Sequence, residues 1–430
     1  MNVCVGIYSI YAASLIMSHN KKDSFEQGFD PAFANRGMFY EFAPGSSPMQ
    51  ILGVRTDGKI LLAGSAKGVP TEPMRLQFQL AQLLENGTPD PDFGNKGIVT
   101  GRFKDNFHAD TSGACLLKDG KTLLIGTHYG QLAQLAFARF LEDGSLDNTF
   151  GTGGIYIPPL PSTSKRPKTP ASPKSKRNAL RLAMAIGLND EIITAAGNKV
   201  RRYLSNGHEA SEFSVQLHNA HAVGVTANGK ITVAGINRAR KGTIARFNAN
   251  GTPDLGFGDK GYVVFSIAEG SNAATLVYSL LLRDDGSLFV TGLMDADIYD
   301  ATGSKQRGML AAFNSNGTPN LIFNGGKPVV TQLPSGQACR WRAITAASAD
   351  RLVVVGSTGL QGSESSLIAR YKTNGEPDTS FGDGGFRVTD IGSGREEWLS
   401  VRVQPDHKIL ASGDGTSKTD PATLVRYRET

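Results

Sequence analysis

The sequence predicts an all-β fold, a seven-bladed β-propeller of four-stranded antiparallel blades whose ring is closed by the N- and C-terminal segments. Three observations predict it: a hairpin signal that recurs seven times, a mean spacing of about 58 residues, and an array that begins in one part of a repeat and stops in the complementary part. Each four-stranded unit is too small to bury its own faces and must pack against its neighbours around a ring. An open solenoid would instead need atypical polar repeats at its ends.

The hairpin signal reads TDGKILLAG (Thr56 to Gly64), KDGKTLLIG (Lys118 to Gly126), LNDEIITAAG (Leu188 to Gly197), ANGKITVAG (Ala227 to Gly235), DDGSLFVTG (Asp284 to Gly292), SADRLVVVG (Ser348 to Gly356) and PDHKILASG (Pro405 to Gly413). A D-G or N-G pair between apolar runs predicts a tight hairpin of type I′. Runs such as Ile60 to Ala63 and Leu352 to Val355 do not alternate with polar residues. They are therefore expected to be strands buried on both faces.

A second signal is an apolar strand ending in Arg and an aromatic residue before a glycine turn, as in FARFLEDG (Phe137 to Gly144), IARFNANG (Ile244 to Gly251) and IARYKTNG (Ile368 to Gly375). A third, D-x-x-F-G-x-x-G, follows it at Asp90, Asp147, Asp254 and Asp378, with DPAFANRG (Asp30 to Gly37) opening the array. Its Asp is expected to cap the turn and its Phe to plug the gap between sheets. Arg and Asp stand eight residues apart in Arg139/Asp147, Arg246/Asp254 and Arg370/Asp378, which predicts an ion pair across the turn. Blade five has lost both together, with Ala312 and Asn320. If the ring closes, Arg426 near the C-terminus must meet Asp30 near the N-terminus.

The combination of D-G-K-I-L-x-x-G, R-[FY]-x-x-x-G and D-x-x-F-G-x-x-G at about 60-residue spacing resembles the bacterial delta-60 repeat family, a β-propeller-like repeat family. The resemblance covers nearly everything from Phe25 to the C-terminus and implies fold, without implying an activity. Blade three departs from it most: Glu191 replaces the usual Lys, and Ala210 replaces the turn Asp.

On this reading residues 25–430 are one propeller and residues 1–24 are a leader or an over-extended start. The first 17 residues are apolar but lack Lys or Arg in front of them, so they make a poor export signal. No stretch reaches the length of a membrane-spanning helix. Cys4, Cys115 and Cys339 are too few and too scattered for a disulfide framework. That pattern favours a reducing, cytoplasmic setting, with export as the alternative. Gly at 51 residues against 20 Pro, with 40% hydrophobic residues, excludes collagen-like and largely disordered chains.

The net charge of +6 has a local source. Residues 158–178 hold Lys165, Arg166, Lys168, Lys174, Lys176 and Arg177 and no acid, and the other 39 basic residues balance the 39 acidic ones. This Pro/Ser/Lys segment is expected to be a disordered insertion, able at most to touch an anionic surface. Specific nucleic-acid binding is not expected of the rest.

No nucleophile elbow, phosphate loop or H-E-x-x-H motif is present, and His218 and His221 would face opposite sides of a strand. No catalytic residue and no cofactor is assigned. The non-repeat features are Asp295, Asp297, Tyr299 and Asp300 in LMDADIYDATG, His128 and Tyr129, and the only tryptophans, Trp341 and Trp398. Asp295, Asp297 and Asp300 are the candidate Ca²⁺ ligands, although the EF-hand spacing is absent. The tryptophans are expected in the second strands of their repeats, as packing or as a stacking platform for a sugar or a partner. The stretches after Gly197 and Gly292 are read as loops joining the last two strands of a repeat, and the latter is the longest of the set. The function expected is a non-catalytic module recognising a protein or glycan through loops on one face. The alternative is a lyase or hydrolase at the channel mouth.

If residues 158–178 only tether, deleting them leaves Tm within about 2 °C, because surface-loop length costs little. If they bind anions, retention on heparin falls steeply with salt and is lost on deletion.

Overall fold

A computed structural model describes residues 28–40, 42–43, 46–67, 76–130, 132–159, 182–267, 270, 272–391, 395–414 and 422–429. The candidate leader 1–24 and residues 160–178 of the basic segment lie outside them. Seven four-stranded antiparallel sheets are present, six of them continuous in sequence. Blade 1 contains strands Gln50–Val54, Ile60–Lys67, Leu76–Leu83 and Ile98–Gly101. Blades 2 to 6 begin at strands His108–Leu116, Ala183–Ile186, Asn219–Val225, Ala274–Leu282 and Cys339–Ser348. Blade 7 is composite: Glu397–Val403, Ile409–Asp414 and Ala422–Tyr427 come from the C-terminus, and the outer strand Met38–Phe39 comes from the N-terminus.

The first strands of successive blades are neighbours around the axis. The second strands are buried along nearly their whole length, as in Ile60–Lys67 and Arg351–Thr358. This explains their unbroken apolar runs: each is covered by a blade on either side. The D-G and N-G hairpins of blades 1, 2, 4 and 5 are not of type I′, whereas the blade-3 hairpin, with Asn189 at φ +54 and Asp190 at φ +57, has the two positive φ values of that type. Gly58 has φ +82 while Asp57 stays at negative φ, Gly58 N–H bonds to Arg55 O at 3.0 Å, and Arg55 N–H bonds to Lys59 O at 2.8 Å. That is a type I turn closed by a left-handed glycine. Asp57 caps it by accepting Lys59 N–H at 3.2 Å.

The Arg–Asp pairs form as the eight-residue offset requires: Nε of Arg139, Arg246 and Arg370 lies 2.8 Å from Asp147, Asp254 and Asp378 respectively. A third member joins them. The hairpin cation of the same blade reaches the same carboxylate, as Lys121 to Asp147 (3.2 Å), Lys230 to Asp254 (2.8 Å) and Arg351 to Asp378 (2.7 Å). In blade 1, Gln82 takes the arginine's place and donates to Asp90 at 2.8 Å, beside Lys59 at 3.2 Å. Blade 3 moves the carboxylate: with Ala210 in place of the turn Asp, Glu191 at the hairpin position accepts both bonds from Arg202 at 2.7 and 2.8 Å. Blade 5 deletes the set, having Ser287, Ala312 and Asn320. There Phe289, paired with Ala312 across the strands, packs against Phe323 at 5.8 Å between ring centres.

The turn Phe of one blade is locked into the next. Phe33, Phe93, Phe150, Phe257 and Phe381 are fully buried. A Cβ on Gly87, in the turn of the following blade, would stand 2.6 Å from Phe33, and Gly87 has φ +84. Arginines lie over the same rings, 4.6 Å in Arg426/Phe33 and 4.2 Å in Arg246/Phe257.

Ring closure follows this plan. Met38 pairs with Val425 and Phe39 with Leu424. Arg426 Nη2 lies 2.8 Å from Asp30, Lys408 Nζ lies 3.1 Å from it, and Arg426 Nη1 bonds to Glu85 O at 2.6 Å in blade 1. Because both charges are buried, Asp30→Asn and Arg426→Gln should each cost roughly 3 kcal/mol. The double variant should cost clearly less than the sum, as read by urea unfolding. Strict additivity would mean that the seam is held by the strands alone.

Burial works to raise the Asp378 carboxyl, but hydrogen bonds from Ser380 and Arg351 and the charge of Arg370 outweigh it and hold it down at about 2. Asp30, Asp90, Asp147 and Asp254 are lowered likewise. Carboxyls depressed in the folded state stabilise fully above the unfolded value of 3.8 and lose that contribution as pH falls through the folded one. Urea midpoints should therefore hold down to about pH 4 and fall steeply towards pH 2. The fall should be shallower in Asp378→Asn, and equal slopes would contradict this origin.

Candidate functional site

The two ends of the ring differ. One end, the turn face, carries the hairpin turns and the glycine turns, where the ion-paired carboxylates are spent on structure. The other, the loop face, carries connections between second and third strands and between blades. The stretches after Gly197 and Gly292 belong to the former kind and do not join the last two strands of a repeat, because another strand pair follows them. The blade-5 connection is also shorter than its sequence indicated, since Leu288–Asp295 continues as strand and only residues 296–305 are loop.

From blade 4 to blade 7 the loop-face connections support one another. Thr275 N–H bonds to Arg240 O at 2.9 Å, Ile298 N–H to Asn272 O at 3.1 Å, Gln361 N–H to Thr302 O at 2.8 Å, and Glu396 N–H to Glu364 O at 2.8 Å. Buried Arg340 ties the blade-6 loop down, bonding to Gly359 O at 2.9 Å and Glu364 at 3.1 Å. On this supported surface Tyr299 is 70% and Leu360 52% exposed, with Ile298 next to Tyr299 in sequence. The Arg240 guanidinium stands 6.0 Å over the Tyr299 ring. Of these residues, Ile298, Leu360 and Arg240 carry no sequence signal; only the bonded loops bring them to the fore.

Asp295, Asp297 and Asp300, the candidate Ca²⁺ ligands, each turn to different partners. Buried Asp295 accepts Asp297 N–H at 3.0 Å and Gln306 Nε2 at 2.9 Å. Asp297 accepts Tyr299 N–H at 3.2 Å and pairs with Lys305 at 3.1 Å. Asp300 is held well below the usual carboxylate range by bonds from Ser304 and Thr302. Each carboxylate serves its own turn, and no group of three or more His, Cys, Asp or Glu is placed to hold a metal among the described residues.

His128 and Tyr129 end strand Thr122–Tyr129 rather than forming a loop. His128 is buried beside Phe107, and burial, then Lys104, pushes its imidazole below the usual value. Tyr129 gives its hydroxyl to Asp110 at 2.6 Å, and burial together with that carboxylate raises it. Both are thus directed inward, in blade 2, away from Tyr299. Trp341 and Trp398 lie on first strands, not second, and are 0% exposed. Their indole N–H groups bond to Thr331 Oγ1 and Tyr427 Oη, each at 2.9 Å. Gly308 makes room for one of them: a Cβ there would stand 2.4 Å from Trp341 Nε1. They are packing between blades and leave no face for stacking a sugar.

Nearer the axis, four consecutive blades, 4 to 7, place non-repeat side chains on their first strands. His221 and Tyr278 stand 5.3 Å apart between ring centres, Arg342 lies 4.7 Å over Tyr278, and Arg342 Nε lies 2.7 Å from Glu397. Burial disfavours both charges, yet Arg342 outweighs it and holds Glu397 below its usual value.

A family model described as "Domain of unknown function (DUF5122) beta-propeller" matches residues 55–93, 117–150, 226–257 and 349–381. These stretches fall in blades 1, 2, 4 and 6, in which hairpin cation and turn Asp pair within one uninterrupted run; the altered blades 3 and 5 and the composite blade 7 lie outside. The chain is thus a β-propeller repeat protein, similar to that family in these repeats. No curated protein matches it in sequence. Among solved structures it is similar to U3-55K at 8% identity and TM-score 0.50, over 91% of this chain and 98% of that one. It is also similar to the Neurospora crassa Pan2 WD40 domain at 12% and 0.44, over 90% of each chain. The WD40 β-propeller domain of Doa1 matches at 12% and 0.42, over 90% and 95%. At such identities the likeness is one of fold alone.

Proposed function

We propose that the protein is a binding module that recognises a protein partner through the loop face of blades 4 to 7. The observation that carries this reading is the exposure of Tyr299 and Leu360 on loops whose backbones are bonded together across blades. An aromatic and an aliphatic anchor beside a cation, on a surface already ordered before binding, is the composition of a protein-binding hot spot. A glycan is the poorer fit, because the tryptophans that would have stacked on sugar rings are internal. The repeats themselves are read as delta-60 repeats, residues 25–430 as one functional unit, and 158–178 as an insertion into it. A lyase or hydrolase at the channel mouth is the second reading, favoured by the His221, Tyr278, Arg342 and Glu397 group.

The test is affinity capture from the native host with quantitative proteomics, comparing the wild-type chain with Tyr299→Ala, Leu360→Asp and the turn-face control Glu376→Gln. Each loop-face change should weaken capture of the same partner about tenfold or more, with Tm unchanged, while the control retains it. Equal capture by all four chains would overturn the reading.

A further inference from the structure

The closing glycine of the repeated hairpin signal has a use that its sequence conceals. A Cβ on Gly126, Gly235, Gly292, Gly356 or Gly413 would fall 1.8 to 2.0 Å from a backbone oxygen of its own blade's first strand: Asp110, Asn219, Leu276, Arg340 or Glu397. At that place the ladder slips, between Thr111 and Gly113, Ala220 and Ala222, Val277 and Ser279, Trp341 and Ala343, and Trp398 and Ser400. The glycine admits the bulge, and the bulge turns one residue off the ladder. The residues so released are Ser112, His221, Tyr278, Arg342 and Leu399.

These strands are the innermost of the ring, yet His221, Tyr278 and Arg342 remain partly exposed where the second strands outside them are buried. They therefore border the opening along the axis. Glu397 binds Arg342 through Nε and is itself held by Ser357 at 3.0 Å, which leaves the two Nη groups of a guanidinium that stands 4.7 Å over the Tyr278 ring without a carboxylate partner among the described residues. Deeper on the blade-7 strand, Arg402 bonds only to Val401 O at 2.8 Å and has no ion pair among the described residues. Burial alone drives its guanidinium below the usual value. In the ladder its level is shared by Gly53, Cys115, Ala185, Gly224, Leu281 and Thr345, none of them a carboxylate. Glu397 thus balances one of two arginines, and an enclosed cation without a counter-ion favours an incoming anion.

We propose that the axial opening binds a small organic carboxylate, forked by the Nη edge of Arg342, flanked by Tyr278 and His221, and drawn in by the uncompensated charge of Arg402. The forked geometry suits a planar carboxylate, and the Tyr278 ring and Leu399 offer apolar surface to an organic body. No covalent step is implied.

The experiment is titration of the full chain with succinate and with citrate, by calorimetry and by thermal shift, at ionic strength matched with sodium chloride and with inorganic phosphate as comparison. Saturable binding of a carboxylate is expected, weakened about tenfold or more in Arg402→Gln and in Tyr278→Phe. Arg342→Lys keeps the charge beside Glu397 but loses the fork, and should weaken binding similarly if it folds; Arg402→Gln and Tyr278→Phe keep the test open if it does not. No saturable binding to the wild-type chain, binding unchanged in all three variants, or phosphate bound as tightly as the carboxylates would overturn the proposal.

Discussion

A single buried carboxylate in each regular blade holds the molecule together. It caps its own turn, as Asp147 does by accepting Thr149 N–H at 3.0 Å, while drawing in the strand arginine and the hairpin cation. The arginine then passes a nitrogen to the next blade, as Arg139 Nη1 to Ser205 O at 3.1 Å and Arg426 Nη1 to Glu85 O at 2.6 Å. One charge thus couples two turns within a blade and the blade to its neighbour. A buried carboxylate left alone would be costly, and so would a buried arginine. The set therefore stays balanced when it changes: blade 1 replaces only the arginine, by Gln82, and keeps Asp90 with Lys59. Blade 3 moves the carboxylate to the hairpin position as Glu191, paired with Arg202, and blade 5 removes the set and packs Phe289 against the turn residue Phe323.

This coupling separates the two ends of the ring. On the turn face nearly every polar side chain of the repeat is committed, and the left-handed glycines allow little substitution. On the loop face the connections escape that constraint. They vary in length, and their mutual bonds are between backbones, which leaves side chains such as Tyr299 and Leu360 free to differ.

The repeat, the strand count and the Arg–Asp offset were legible because each depends on residues close in sequence, and the closure because the first and last stretches carry complementary parts of one repeat. The hairpin cation's part was not, since Lys59 meets Asp90 from 31 residues away and only strand pairing brings them together. Turn type was misread because a D-G pair serves both a type I′ turn and a type I turn with a left-handed glycine, and local sequence does not decide between them. The tryptophans and blade-5 aspartates stood out for being outside the repeat. Singularity of position is no measure of exposure: Trp341 and Trp398 are interior, and Asp295, Asp297 and Asp300 satisfy their own turns.

The axial group was illegible for a different reason, although its signal was in plain view. The closing glycine reads as an ordinary strand end, yet five of the seven make room for a bulge carbonyl. Gly197 in blade 3 is the telling exception. It has φ +56, no atom lies within 4 Å of its missing Cβ, and the first strand beside it runs without a register slip. The same glycine letter thus serves a turn in blade 3 and admits a bulge carbonyl in blades 2, 4, 5, 6 and 7. The bulge is a property of backbone register, so the repeat preserves it whatever side chain occupies it. That freedom is what lets blades 4, 5 and 6 carry His221, Tyr278 and Arg342 at one level around the axis, where a residue required by the fold could not have varied.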